Sequence, residues 1–205
     1  MGFVSVGLSV GSSPRPPIAA TIVVGVLVLA GCASAPPAGP PHVPALDAGT
    51  PFRIEGRLSA RRGAEGFSAN FTWTHALPRD DFIVTTPLGQ DVAQISGNAA
   101  TAQVEMRTAD GRRDEASDWS TLTERALGFG LPVAGLGAWV RGAPREGAPY
   151  SIEPDATGRA AVLRQDGWEI VYGYGDDSTQ KPARMRLTYA DLEVRIAIDR
   201  FTTGP

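Results

Sequence analysis

Alternation of apolar and polar residues, repeated along most of the chain, limits the possible folds more than any other feature. In FRIEGRLSA, Phe52, Ile54, Gly56, Leu58 and Ala60 share one face, while Arg53, Glu55, Arg57 and Ser59 take the other. Side chains of an extended strand point to opposite faces in turn, so a period of two reads as a strand with one buried face. The pattern recurs at Phe67, Ala69, Phe71 and Trp73, and at Ala102, Val104 and Met106. It returns at Trp168, Ile170, Tyr172 and Tyr174, and at Leu192, Val194, Ile196 and Ile198. Turn residues separate these runs: Arg62-Gly63, Pro78-Arg79-Asp80, Pro87-Leu88-Gly89, Asp110-Gly111, Asp166-Gly167 and Ala190-Asp191. Hairpin-linked antiparallel strands, wet on one face, follow from this, about eleven of them.

Only residues 117–142 read as helical. Thr121-Leu122-Thr123-Glu124 fits a capping box, with Leu122, Ala126 and Leu127 on one face and Gly128 or Gly130 to end the helix. Pro132 suits the first turn of a second helix, in which Val133, Leu136 and Val140 recur beside Trp139 until Gly142 closes it. Two short helices must therefore cover the apolar face of a large sheet. Large antiparallel sheets curl. A curled sheet under a small lid either encloses an apolar hollow or packs solid, and periodicity does not choose between them.

The first 31 residues stand apart. Arg15 is the only charge before Cys32, and Ile18–Ala30 is an apolar run of about 13 residues. A membrane-crossing helix needs about 20, so the run fits the core of a secretory signal. The long stretch before it places the natural start nearer Arg15. Leu29-Ala30-Gly31-Cys32 resembles the lipobox of bacterial lipoproteins, which implies cleavage before Cys32 and acylation of that residue, the chain's only cysteine. By resemblance to lipoprotein sorting rules, Ala33 after Cys32, with no Asp, implies sorting to the outer membrane over retention at the inner one. Residues 32–51 then form a tether with prolines at 36, 37, 40, 41, 44 and 51, biased to the extended polyproline form.

What remains, residues 52–205, is enough for one domain with one core. The net charge is −3, and about −4 without Arg15, so charge argues against a nucleic-acid partner. Chemistry-bearing groups are scarce. With Cys32 as the anchor and His42 in the tether, the domain keeps His75 alone, too little for a Cys/His metal site. Asp80-Asp81 and Asp176-Asp177 read as turn residues, and His75 as a polar strand-end residue. Gly135-Leu136-Gly137 and Gly173-Tyr174-Gly175 lack the strand–turn–helix setting of a nucleotide loop. Arginines 57, 61, 107, 113, 164, 186 and 195 fall on polar strand faces, mostly solvated, a few of them available for lipid phosphates or an acidic partner. No enzyme and no cofactor are expected.

One turn is unusual. In TTPLGQ, residues 85–90, Leu88 sits between a φ-fixing proline and a permissive glycine. Either it folds back onto the core, a gain of about 1.5–3 kcal/mol, or its exposure has a use.

Taken in order, Gly56-Arg57-Leu58, Phe71 and Trp73, Pro87-Leu88-Gly89, Leu131-Pro132-Val133 with Leu136, Trp139, Gly142 and Pro144, Gly167-Trp168 with Tyr172, and Pro182 with Met185 and Leu187 resemble the LolB family of outer-membrane lipoproteins. The resemblance spans about residues 52–201, with Phe201 where the family often has tryptophan. It implies a mainly β fold: an open antiparallel β-barrel of about eleven strands, with a short helical lid over an apolar cavity. It also implies a function. A monomer would accept acylated lipoproteins from the periplasmic carrier LolA and place them in the inner leaflet of the outer membrane, with no bond made or broken. Its site residues would be the anchor Cys32, a membrane-inserting loop of Pro87, Leu88 and Gly89, and an acyl-chain cavity. Leu58, Phe71, Trp73, Phe82, Trp168, Tyr172 and Met185 would supply the cavity from the sheet, and Leu122, Trp139 and Val140 from the lid. The rival reading is a lipoprotein that only scaffolds an envelope assembly machine. A lipid-modifying enzyme is disfavoured by the missing catalytic residues, and the carrier itself by Cys32.

Overall fold

The computed structural model describes residues 49–204 other than 128, 132 and 177, with the backbone alone for residues 126, 127 and 134. The signal segment, Cys32, His42 and most of the tether lie outside the described residues, as do Gly128, Pro132 and Asp177.

Eleven strands form one antiparallel sheet. The first six are β1 (Phe52–Arg62), β2 (Glu65–Ala76), β3 (Arg79–Thr85), β4 (Asp91–Asn98), β5 (Gln103–Thr108) and β6 (Arg113–Ala116). Helices α1 (Trp119–Leu127) and α2 (Val133–Trp139) follow, then β7 (Tyr150–Pro154), β8 (Ala160–Gln165), β9 (Trp168–Gly173), β10 (Arg184–Tyr189) and β11 (Leu192–Thr203). The order across the sheet is β6-β5-β4-β3-β2-β1-β11-β10-β9-β8-β7. The chain thus meanders outward from β1, crosses by the two helices, and meanders back until β11 pairs with β1. Edge strands β6 and β7 are not paired with each other, so the barrel is open, as the family resemblance implies.

Alternation translates directly into burial. Phe52, Ile54 and Ala60 on β1, Phe71 and Trp73 on β2, Ile170 and Tyr172 on β9, and Val194 and Ile196 on β11 all turn inward. Among the described residues the buried core runs from Phe52 to Ile196. Gly56 sits where the β1–β11 register slips by a residue, and a Cβ there would lie 2.2 Å from the Ala197 carbonyl oxygen. Only a residue without a side chain fits this close passage.

Three local expectations are corrected. Helix α1 starts one turn earlier than the capping box at Thr121 implies: Asp118 is the cap, its Oδ1 accepting from Thr121 N at 2.8 Å and its Oδ2 from Thr121 Oγ1 at 2.7 Å. A carboxylate satisfies the free amides of the first turn as well as a hydroxyl does. Asp80 and Asp81 are strand residues of β3, not turn residues. His75 is at the strand end as expected, next to last in β2, where it is 8% exposed and bonds Asp80. Ala102 is exposed in the β4–β5 turn with φ of 51°, so the inward face of β5 begins at Val104. Helix α2 closes as its sequence implies. Gly142, at φ of 75°, donates to Trp139 O at 2.9 Å and Ala143 donates to Ala138 O at 3.2 Å, the paired bonds of a Schellman stop.

Candidate functional site

Between the sheet and the two helices lies an apolar void of about 40 Å³. Leu58, Phe71, Trp73 and Phe82 line it from the sheet and Val140 from the lid. Leu122, Trp139, Trp168, Tyr172 and Met185 do not border it. They are buried in the surrounding core, Trp139 against Trp168 at 6.3 Å between ring centroids. Further lining comes from Phe67, Val84, Ile95, Val194 and Ile196 on the sheet and from Trp119, Thr123, Leu131, Val133 and Leu136 around the lid. Phe67, Val194 and Ile196 were legible as inward positions of their strands. Trp119 was not, because a cap at Thr121 leaves it outside the helix.

The walls are held by polar contacts at their margins. The Trp73 indole stacks on Phe82 at 4.6 Å and meets Phe52 edge-on at 4.8 Å. Its Nε1 donates to Asp80 Oδ1 at 2.7 Å, and His75 Nδ1 lies 2.8 Å from the same oxygen. Strand register puts His75 opposite Asp80, so this aspartate anchors two inward-facing rings at once. On the lid, Trp119 meets Phe82 at 5.2 Å. Thr123 Oγ1 donates to Trp119 O at 2.8 Å and accepts from Leu131 N at 2.7 Å, which leaves its methyl for the void. The Tyr172 hydroxyl has no partner among the described residues, and burial pushes its phenol far above the ordinary value.

A void of 40 Å³ is smaller than the roughly 150 Å³ that admits a benzene ring in an apolar core. As it stands, it does not hold an acyl chain. Beside it an open cleft of about 470 Å³ lies between the lid and the β2–β3 hairpin. Trp73, Trp119, Leu131 and Val133 border both spaces and so form the partition between them. Leu77, 57% exposed, stands at the rim of the cleft.

At the other end of β3 the Leu88 turn is firmly built. Gly89 N donates to Thr86 O at 2.9 Å, Thr86 N to Gln90 O at 2.8 Å, and Gln90 N to Thr86 Oγ1 at 3.1 Å. Asn70 Nδ2 pins the turn to β2 through Thr86 O at 3.1 Å. Leu88 does not fold back: it is 91% exposed.

The model of the family described as outer membrane lipoprotein LolB matches residues 50–201. The outer-membrane lipoprotein LolB of Dechloromonas aromatica is 32% identical over 90% of this chain and 97% of its own. That of Thiobacillus denitrificans is 36% identical over 86% and 93%. Among solved structures, a DUF1329 family protein from Desulfovibrio piger superposes with a TM-score of 0.50 over 77% of this chain and 87% of that one; at 9% identity the likeness is one of fold alone. With the family model matched across residues 50–201 and relatives more than 30% identical over most of their length, the chain belongs to the LolB family of outer-membrane lipoproteins.

Proposed function

We propose that this protein is tethered by acylated Cys32 to the periplasmic face of the outer membrane, takes acylated lipoproteins from the carrier LolA, and releases them into the inner leaflet. The observation that carries this reading is the closed apolar void beneath α1 and α2, divided from an open cleft by four apolar side chains. Acyl chains enter as the partition of Trp73, Trp119, Leu131 and Val133 parts and the lid lifts. Leu58, Phe71, Phe82 and Val140 then contact the chains, and Leu122, Trp139, Trp168, Tyr172 and Met185 form the wall behind. Each methylene kept from water is worth about 0.8 kcal/mol, so a cargo with three acyl chains does not cross water unaided but passes from one apolar host to the next. No covalent step is needed. Pro87, Leu88 and Gly89 form the element that enters the bilayer when cargo is released.

Incubating the protein with an acylated lipoprotein bound to the carrier tests the reading. Cargo moving onto the protein, and from there into vesicles, is the expected result. Cargo remaining on the carrier would leave this chain a scaffold.

A further inference from the structure

The outward face of the sheet has a groove of its own, separate from the void. Two rows of outward side chains cross it by strand register. One runs Asn70, Arg57, Ala197, Arg184, Gly173, and the next Ser68, Ser59, Arg195, Arg186, Val171. They span β2, β1, β11, β10 and β9, about 19 Å at ordinary strand spacing. The small residues in both rows leave an open trough of about 570 Å³. Pro87, the residue before Leu88, borders its mouth.

Charge in the trough is unbalanced. Arg57, Arg184, Arg186 and Arg195 line it. Facing them are Asp199, which pairs with Arg57 at 2.9 Å, and Glu193, shared between Arg195 at 2.7 Å and Arg186 at 3.7 Å. Arg184 pairs with no carboxylate among the described residues. A chain of net charge −3 thus gathers guanidinium groups in a trough that reaches the residue before its exposed turn leucine.

We infer that this arginine-lined trough seats the phosphates of anionic phospholipids while Leu88 is in the bilayer. The inference rests on the proposed role of Leu88 and extends it from insertion to orientation. The headgroup layer is about 5–8 Å deep on each side of the hydrocarbon. A leucine side chain just inside the hydrocarbon therefore leaves Pro87 and the mouth of the trough at phosphate level. Guanidinium forks match phosphate oxygens in pairs, and a basic residue near an anionic leaflet contributes about 1 kcal/mol. Leucine and trough together fix the tilt of the barrel against the surface, which neither a single side chain nor a long tether does alone.

Flotation tests this on the chain from Ala33 onward, which keeps the core from Phe52 to Ile196 and lacks the acyl anchor. The vesicles are phosphatidylethanolamine alone, or the same lipid with phosphatidylglycerol. The Arg184→Glu, Arg186→Glu double variant is expected to bind the anionic vesicles at least about tenfold more weakly. The corresponding Lys variant keeps most of the binding, and the Gln variant falls between, as fold controls. On phosphatidylethanolamine alone the variants bind alike, and added salt removes the difference on anionic vesicles. Undiminished binding of the Glu variant to anionic vesicles overturns the inference. So does an equal loss on both vesicle types, or a loss confined to hand-over from the carrier. If the unsubstituted chain takes no cargo from the carrier, the proposed function fails; if it does and the Glu variant binds unchanged, only the trough does.

Discussion

Trp139 Nε1 donates to Gln165 Oε1 at 2.9 Å inside the core, joining the last turn of α2 to the end of β8. Gln165, 3% exposed, also accepts from Arg145 N at 2.7 Å and donates to Arg145 O at 2.8 Å and Ala148 O at 3.2 Å. Arg141, buried just beyond α2, donates to Thr50 O at 2.7 Å and lies 4.9 Å over the Phe52 ring. The lid's exit is therefore fastened to both halves of the sheet. The partition residues Trp119, Leu131 and Val133 lie before these fastenings, on α1 and at the entry to α2.

Gln165→Leu keeps the volume but leaves the Trp139 indole N–H and the Arg145 amide without their acceptor. Stranding buried groups costs about 1–3 kcal/mol each, so a loss on the order of 3 kcal/mol is expected. The urea midpoint falls with little change in slope. An unchanged midpoint would show that the hook contributes nothing.

Gly56→Ala puts a methyl group 2.2 Å from a backbone oxygen of β11 and 3.2 Å from the Phe71 ring. Backbone cannot step aside as a flexible side chain does, so the β1–β11 seam must open locally, at a cost of about 1–3 kcal/mol. For a domain of this size that lowers Tm by about 2–4 °C per kcal/mol. Faster amide exchange at Arg57 and Ala197 than in distant strands would locate the damage.

What could be read in advance divides along physical lines. Period two reported which residues face inward on β1, β2, β9 and β11, because hydrophobic burial acts on each strand separately. It misplaced Ala102, since alternation does not mark where a strand gives way to a turn. Asp118 and Thr121 both have cap chemistry at the right spacing, and the choice between them depends on where Trp119 packs against Phe82. Asp80 was unreadable as the holder of Trp73 and His75 because that role needs the β2–β3 register. The cavity residues divide for the same reason. Alternation marks Tyr172 and Trp73 as equally buried, yet the void lies beside Trp73 alone, because Trp139 fills the interior on the β8–β9 side.

Alkaline pH should weaken the fold. Burial pushes the Tyr174 phenol up to about 12, opposed by the Arg159 guanidinium 4.1 Å over its ring and assisted by Asp155. A raised phenol favours the neutral form when folded, so the contribution is complete below the unfolded value near 10 and is lost as pH rises from there through about 12. Tyr172 acts in the same direction. Urea midpoints measured from pH 8 upward should fall above about pH 10, less steeply in Tyr174→Phe. Tyr172→Phe, which removes a buried hydroxyl with no partner, should match or exceed the unsubstituted protein in stability at pH 7, by up to about 1 kcal/mol. A lower midpoint for that variant would reveal a bond from this hydroxyl.

Leu88→Glu separates folding from membrane action. With its side chain 91% exposed and the turn held by backbone, Thr86 and Asn70, the substitution should change stability by no more than about 0.5 kcal/mol. Uptake of cargo from the carrier should also be unaffected, because Leu88 lines neither the void nor the cleft beside it. Release is another matter. Burying a leucine in hydrocarbon is worth about 1.5–3 kcal/mol, and a carboxylate there is unfavourable, so transfer from protein to vesicle should slow by at least about tenfold. Leu88→Phe keeps an apolar tip and should retain most of the rate. Equal release by the Glu and Phe variants would mean that the leucine does not enter the bilayer, and its exposure would then need a partner other than lipid.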